Sequence, residues 1–174
     1  MRIRQLDARA FDISRDAMTS LLRDSVAAGA SIGFLANVTD EELARYLNEV
    51  GERLSRGDLV VWAAEREEAL VGSVQLSLIT KANGLNRAEV QKLLVHSRAR
   101  RLGIATALMQ AVERHARGIG RRLLYLDTLA HSDAERLYQR LAYQRVGEIP
   151  DYAADPKGHY CATALYYKQL THMD

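Results

Sequence analysis

The segment Val90-Gln-Lys-Leu-Leu-Val-His-Ser-Arg-Ala-Arg-Arg-Leu-Gly-Ile-Ala-Thr-Ala-Leu-Met109 changes its hydrophobic period halfway along. Its first part is a leucine- and valine-rich run ending at Val95, the composition of a strand. From Ile104 onward, Ile104, Ala107, Leu108, Ala111, Val112 and His115 recur every three or four residues, as on one face of an amphipathic helix. A strand that turns straight into a helix leaves several backbone N–H groups without partners at the positive end of the helix dipole. Such a turn is a cradle for phosphate oxygens, and Gly103 and Ala105 are small enough to let a diphosphate approach the chain. Neighbouring arginines could pair with further phosphate charge. Read from spacing alone, Gly103 could equally be an ordinary loop glycine and Ala105 a packing residue. The segment has neither the Gly-Lys-Ser/Thr ending of a Walker loop nor the three spaced glycines of a dinucleotide-binding turn.

Outward from this segment, the chain shows no repeat and no Pro/Gly/Ser-rich linker. Upstream, Leu59 to Glu65 and Ala69 to Ile79 are strand-like runs joined at the charged turn Arg66-Glu67-Glu68. Asn83-Gly84 marks a turn before the strand at Ala88 to Val95. Thr39 and Glu42 form a capping box ahead of the stripe Leu43, Tyr46, Leu47, Val50 and Leu54, which ends before Gly57. Met18, Leu21, Leu22, Ser25 and Val26 predict an earlier helix stopping at Gly29, and Ile3 to Leu6 a first strand. Downstream, Leu123 to Thr128 predicts a buried strand. Ser132 and Glu135 predict a second capping box before the helix stripe Ala134, Leu137, Tyr138 and Leu141. Strands near Gln144 to Ile149 and Thr163 to Leu170 follow. The order β-α-α-β-β-β-α-β-α-β-β predicts one α/β domain over residues 1–174, with a mixed, mostly antiparallel sheet.

Within the turn, Arg100-Arg101-Leu102-Gly103-Ile104-Ala105 resembles motif A of the GCN5-related N-acetyltransferases, Q/R-x-x-G-x-G/A. The preceding strand, the strand at Leu123 to Thr128 and the helix carrying Leu137-Tyr138 come in that family's order. The resemblance implies a sheet with helices on both faces and acetyl-CoA as cosubstrate, with no metal. It implies that the turn formed by Arg100, Arg101, Leu102, Gly103, Ile104, Ala105 and Thr106 holds the diphosphate. It implies too that the preceding strand splays from its neighbour, so that the backbone of Leu93, Leu94 and Val95 would meet pantetheine, paired like an added strand, and the acetyl carbonyl. A second set of segments is similar to those of a family member that acetylates an amino-acid antibiotic: Gly29-Ala-Ser-Ile-Gly-Phe34, Asn83-Gly-Leu-Asn-Arg-Ala-Glu-Val-Gln-Lys-Leu93, Leu126-Asp-Thr128 and Leu141-Ala-Tyr-Gln-Arg-Val-Gly-Glu148. That likeness implies acetyl transfer to the amine of a small molecule. The chain departs from the family pattern at Arg101, where glycine is common, at Leu102, where a basic residue is common, and at His131, where asparagine is common.

Acetyl transfer to an amine needs a neutral amine within reach of the thioester, stabilisation of the oxyanion and a proton for the departing thiolate. By resemblance Tyr138 is the acid; by spacing alone it is equally a member of the apolar stripe. Asp127, at the C-terminal end of a buried strand, and Glu89, near the start of the cofactor strand, are two candidate bases. Ligands of open α/β sheets gather beyond strand C-termini, which favours Asp127. Either carboxylate could instead hold loop amides. For the acceptor, the candidates are Ser31, Gly33 and Phe34 after the first helix and Asn83, Asn86 and Arg87 before the cofactor strand. Arg87 suits a carboxylate by bidentate pairing and Asn86 an amide edge. The alternative function is an acyl-CoA-binding regulatory module without catalysis.

With 174 residues, 48% of them apolar, and one cysteine, the chain can bury a single core without a disulfide or structural metal. Lone Cys161 excludes an internal disulfide and a Cys-based zinc site, and suits a reducing compartment such as cytoplasm. The longest apolar run, Leu59 to Ala64, is far short of the roughly 20 residues of a membrane-spanning helix. The first ten residues do not read as a secretory signal. Between His96 and Arg122 seven arginines face one acid, Glu113, a local charge of +6 that leaves −4 for the rest of a chain of net charge +2. This excess is either an anion site or a solvated helix face. Without a recognition helix or a basic-aromatic platform it does not read as a nucleic-acid surface. The two ends of the sheet leave room for a homodimer.

Overall fold

One seven-stranded sheet runs through the molecule, with helices on both of its faces. The computed structural model describes residues 1–170, and the last four positions of the expected 1–174 domain lie outside the described residues. In chain order the elements are β1 (Arg2–Leu6), α1 (Ala8–Ile13), α2 (Arg15–Ala27), α3 (Asp40–Arg56), β2 (Leu59–Arg66), β3 (Ala69–Leu78), β4 (Arg87–Val95), α4 (Ile104–Gly118), β5 (Leu123–Leu129), α5 (Asp133–Arg140), β6 (Gln144–Ala154) and β7 (Tyr160–Gln169). The sheet order is β1-β2-β3-β4-β5-β7-β6. Every neighbouring pair is antiparallel except β4 and β5, which are parallel. The expected class, a single α/β domain with a mixed and mostly antiparallel sheet, holds. No helix among the described residues is long and apolar enough to cross a membrane.

Strand alternation sorts the apolar residues into two cores. Val74, Leu76, Ala88, Val90, Leu124 and Leu126 share one core with Ile104, Leu108, Met109 and Val112 of α4 and Tyr138 of α5. On the other face Val61, Ala63 and Leu94 share a core with Phe11 of α1, Leu21 and Leu22 of α2, and Leu43, Leu47 and Val50 of α3. Burying one such side chain is worth about 1.5–3 kcal/mol, against about 0–1 kcal/mol for an exposed ion pair. The stripes therefore hold the helices more firmly than surface pairs such as Arg15–Asp12. At Gly72 an added Cβ would stand 2.9 Å from the Leu94 carbonyl oxygen and 3.1 Å from Ile104 Cγ2. Only glycine there lets the first turn of α4 lie down against β3 and β4.

The Thr39 capping box forms as expected: Glu42 N donates to Thr39 Oγ1 at 3.2 Å and Thr39 N donates to Glu42 Oε2 at 2.8 Å. The second box does not. Ser132 Oγ donates instead to the Leu129 carbonyl at 2.6 Å. Glu135 is buried, and its carboxylate accepts from His131 N at 2.5 Å, from Arg145 Nε at 3.2 Å and from the Tyr166 hydroxyl. The Glu135 carboxylate thus takes the N–H of His131, one residue before the cap position, and not that of Ser132 as a reciprocal cap requires. Three helices rather than two separate β1 from β2, because Asp7 accepts from Ala10 N at 2.7 Å and starts the short α1. β6 runs to Ala154 rather than Ile149, through Pro150 and an irregular register between Ile149 and Ala153. It is an edge strand, where a missing N–H costs no ladder bond if it faces outward.

Candidate active site

β4 and β5 pair at only three positions: Arg87 with Leu123, Ala88 with Leu124 and Glu89 with Tyr125. Beyond Glu89 they part, although β4 keeps its ladder to β3 as far as Val95 and β5 its ladder to β7 as far as Leu129. Each strand thus turns one free backbone edge toward the gap. A cleft of about 760 Å³ opens here, bordered by residues 28–33 after α2, residues 89–95 of β4, the turn before α4, residues 127–129 of β5, and Tyr138 of α5.

The turn at one end of the gap is open. Arg101 and Gly103 adopt left-handed backbone, φ 65° and 76°, which swings the chain from β4 into α4. Among the described residues nothing accepts a hydrogen bond from the N–H groups of residues 101–106, and no side chain caps the helix; its first bond is Ala107 N to Gly103 O, 3.0 Å. An added Cβ at Gly103 would meet nothing within 4 Å, so the chain is uncovered on that side of the turn. The arginine-rich segment is not one anion surface. Arg100 and Arg101 border the cleft, whereas Arg117 pairs with Glu113 at 3.8 Å and Arg121 donates to the Ile79 carbonyl at 2.8 Å. α4 has 15 residues and separates the two groups by about 22 Å.

Across the gap, the titratable groups fall on opposite faces of the sheet. Ala88, Val90, Leu124 and Leu126 share the core with Tyr138, so alternation turns Glu89 and Asp127 to the other face, toward α2 and α3. Burial pushes the Glu89 carboxyl above the usual glutamate range, the Asp127 charge adds to this, and a hydrogen bond with Gln91 opposes it. The Thr163 hydroxyl lies 3.3 Å from Asp127 Oδ2 and 3.0 Å from the Thr128 carbonyl oxygen, and shares its one proton between them. The Tyr138 ring packs against Tyr143 and Tyr166, centroids 5.8 and 6.0 Å away. Its hydroxyl has no hydrogen-bond partner among the described residues. Burial, and then the charge of Asp127, raises the phenol well above the ordinary tyrosine value and keeps it protonated.

A β-bulge adds a cation. Gln75 pairs with Gln91 and Ser73 with Leu94, so Lys92 and Leu93 together oppose Val74. Lys92 has φ 49°. The extra residue breaks the alternation and brings Lys92 to the same face as Glu89, where its ammonium lies 5.8 Å over the Tyr46 ring. It has no hydrogen bond and no carboxylate within 4.0 Å among the described residues. Burial lowers its pKa, and the charges of Asp127 and Glu89 partly oppose the shift. An added Cβ at Gly33 would stand 3.9 Å from Lys92 Nζ, which places the loop after α2 beside this ammonium.

Glu89, Asp127, Tyr138, Leu93, Leu94, Val95, Arg100, Arg101, Gly103, Ile104, Ala105, Thr106, Ser31 and Gly33 all border the cleft. Leu102 does not; its side chain points to solvent and is 49% exposed. Phe34 lies outside as well, packed edge-on against Tyr46 at 5.4 Å. Asn83, Asn86 and Arg87 are a correction to the expected acceptor site. They stand where β4 and β5 are closed, and the Asn86 carbonyl accepts from Arg122 N and Leu123 N at 2.7 and 3.0 Å. Lys92, Thr163 and Arg140 border the cleft without having been picked out in the sequence. The adjacent polar pair Gln91-Lys92 inside the run from Val90 to Val95 breaks a period of two, and was the readable sign of the bulge.

A sheet forked between its two parallel strands, with an open amide turn at the fork, is the architecture that the motif predicted for an acetyltransferase. Residues 18–143 match the model of the Acetyltransferase (GNAT) family, and the chain belongs to that family. Among solved structures, it is similar to a ribosomal-protein-alanine N-acetyltransferase from Brucella melitensis, with TM-score 0.81 and 20% identity over 98% of this chain and 100% of that one. It is also similar to yncA of Salmonella typhimurium, solved with its cofactor acetyl-CoA, with TM-score 0.80 and 18% identity over 100% of this chain and 96% of that one. An aminoglycoside 6'-acetyltransferase type Ii matches with TM-score 0.72 and 23% identity over the whole of both chains. At these identities the likeness is one of fold.

Proposed function

We propose that the protein transfers the acetyl group of acetyl-CoA to the amine of a small molecule by direct attack on the thioester. The observation that carries this reading is the fork between β4 and β5, which connects an open amide turn to a phenol on one face and two carboxylates on the other. Acetyl-CoA, when bound, supplies the electrophilic thioester carbon. The N–H groups of residues 101–106 bind its diphosphate, with Arg100 and Arg101 beside them. The free edge of β4 at Leu93, Leu94 and Val95 takes the pantetheine amides as it would an added strand. A backbone N–H near Leu94 polarises the acetyl oxygen.

The amine arrives from the face of Glu89 and Asp127, and one of these carboxylates takes the proton that its ammonium must lose. The nitrogen–carbon bond forms as the carbonyl π electrons move onto oxygen, the carbon–sulfur bond breaks as the carbonyl re-forms, and Tyr138 donates its phenolic hydrogen bond to the departing sulfur. A phenol that holds its proton more tightly than a thiol does is foremost a hydrogen-bond donor. The second proton lost by the amine then completes the free thiol.

The acceptor in this reading is an amino-acid-like compound, with tabtoxinine-β-lactam the first candidate. Support comes from the segments Gly29–Phe34, Asn83–Leu93, Leu126–Thr128 and Leu141–Glu148, which resemble those of the tabtoxin resistance protein, an acetyltransferase for that antibiotic. Reduced Cys161 suits a cytoplasmic enzyme. The test is thiol release from acetyl-CoA in the presence of an amine panel that includes tabtoxinine-β-lactam, with thermal stabilisation by CoA measured in parallel. Release with at least one amine is expected. Stabilisation by CoA without release from any amine overturns the transferase and leaves a non-catalytic acyl-CoA-binding module.

A further inference from the structure

A carboxylate on the acceptor was expected to find Arg87, yet Arg87 stands at the closed end of the strand pair. On the acceptor face the cleft offers a different cation. Lys92 is turned there by the bulge, held in left-handed backbone, and packed over Tyr46 and beside Gly33, with no counter-ion in contact among the described residues. A strained, non-glycine residue inside a strand persists only where the surrounding structure holds it, and such positions gather at functional sites. Glu89 and Asp127 share the cleft with it, close enough to act on its charge and too far to pair with it.

We propose that Lys92 is the specificity residue for an acceptor that carries a carboxylate as well as its amine, as an α-amino acid does. The proposal rests on the acetyltransferase reading and deepens it. An acceptor with only an ammonium meets attraction from Glu89 and Asp127 but repulsion from Lys92. An acceptor carrying both charges satisfies all three groups: its ammonium faces the carboxylates and its carboxylate takes up the free hydrogen-bond capacity of the Lys92 ammonium. The lysine thereby selects on KM, while Glu89, Asp127 and Tyr138 act on the reacting atoms.

The experiment compares thiol release from acetyl-CoA for L-α-amino acids, each paired with the amine that lacks its α-carboxylate, including L-lysine with cadaverine and L-ornithine with putrescine. In the wild-type protein the carboxylated member of a pair is expected to have the higher kcat/KM by about tenfold or more. Lys92→Met, which keeps the methylene stem, abolishes that preference through KM of the carboxylated member, and Lys92→Arg restores part of it. CoA affinity, measured by calorimetry for each variant, reports that the fold and the diphosphate turn are intact. Equal use of both members by the wild type overturns the proposal. So does a Lys92→Met effect that falls equally on both members or on kcat alone, because a lysine that only balances its neighbouring carboxylates would act that way. If CoA binds and no amine of any kind is acetylated, the transferase reading itself has failed, and the role of Lys92 with it.

Discussion

Ala88 and Leu94 are both buried on β4, and both are paired to β3, opposite Leu78 and Ser73. They differ across the sheet. Ala88 has Leu124 of β5 on its other side, whereas Leu94 has no strand partner there among the described residues. The closed end is ordinary sheet, where backbone groups satisfy one another and side chains such as Arg87 reach no cleft. The open end leaves backbone donors and acceptors free on both strands, and every side chain assigned to the reaction borders that gap. In this fold the site is made by omitting a ladder, and the side chains act on what the omission admits.

That contrast can be broken at four points. Tyr138→Phe removes the hydroxyl that the proposed mechanism sets against the departing sulfur and should lower kcat by about ten- to ten-thousandfold, with CoA affinity retained; steady-state kinetics with the best panel amine checks it. Gly103→Val acts at the turn instead. A β-branched residue at φ 76° carries roughly 1–2 kcal/mol of strain, which the turn relieves by moving its amides, so CoA binding should weaken about tenfold or more by titration.

Glu89 sharpens the contrast through pH. Its carboxyl is raised by burial, so with Glu89 as the base kcat/KM should climb with pH through a value above the ordinary glutamate range and Glu89→Gln should lose that limb, whereas with Asp127 as the base Glu89→Gln keeps it. The stability effect has the opposite sense. A raised pKa in the folded state means that stability is fully present below the unfolded value and is lost as pH rises through the folded one. Glu89→Gln should therefore melt at a higher temperature than the wild type at neutral pH while turning over more slowly. The smallest effect is expected at the closed end, where Arg87→Ala should change kcat/KM by less than about threefold.

The two ends of β4 also mark what could be read from the sequence. Tyr138, Asp127 and Glu89 lie on regular elements whose positions the hydrophobic pattern gives, but the helix stripe alone makes Tyr138 a core residue, and only the likeness to the acetyltransferases singles it out. The fork itself was legible only through motif A, because no local pattern says where two strands stop pairing. Asn83, Asn86 and Arg87 were drawn to the site by closeness in sequence to the cofactor strand. A strand carries its two ends apart by about 3.3 Å per residue, so the loop that feeds β4 lies at the wrong end. Lys92 was passed over for the reverse reason: its position in the alternation assigns it to the α4 and α5 face, and the bulge reverses that. Ser132 and Glu135 match a capping box in spacing, but burial gave Glu135 to Tyr166 and Arg145 instead.

The most direct measurement is a calorimetric titration of CoA into the wild-type protein beside Gly103→Val. Saturable one-to-one binding that is clearly weakened by the valine is the predicted result. No association by the wild type, or equal affinity in both proteins, would contradict the claim that the amides of residues 101–106 deliver a thioester to the fork.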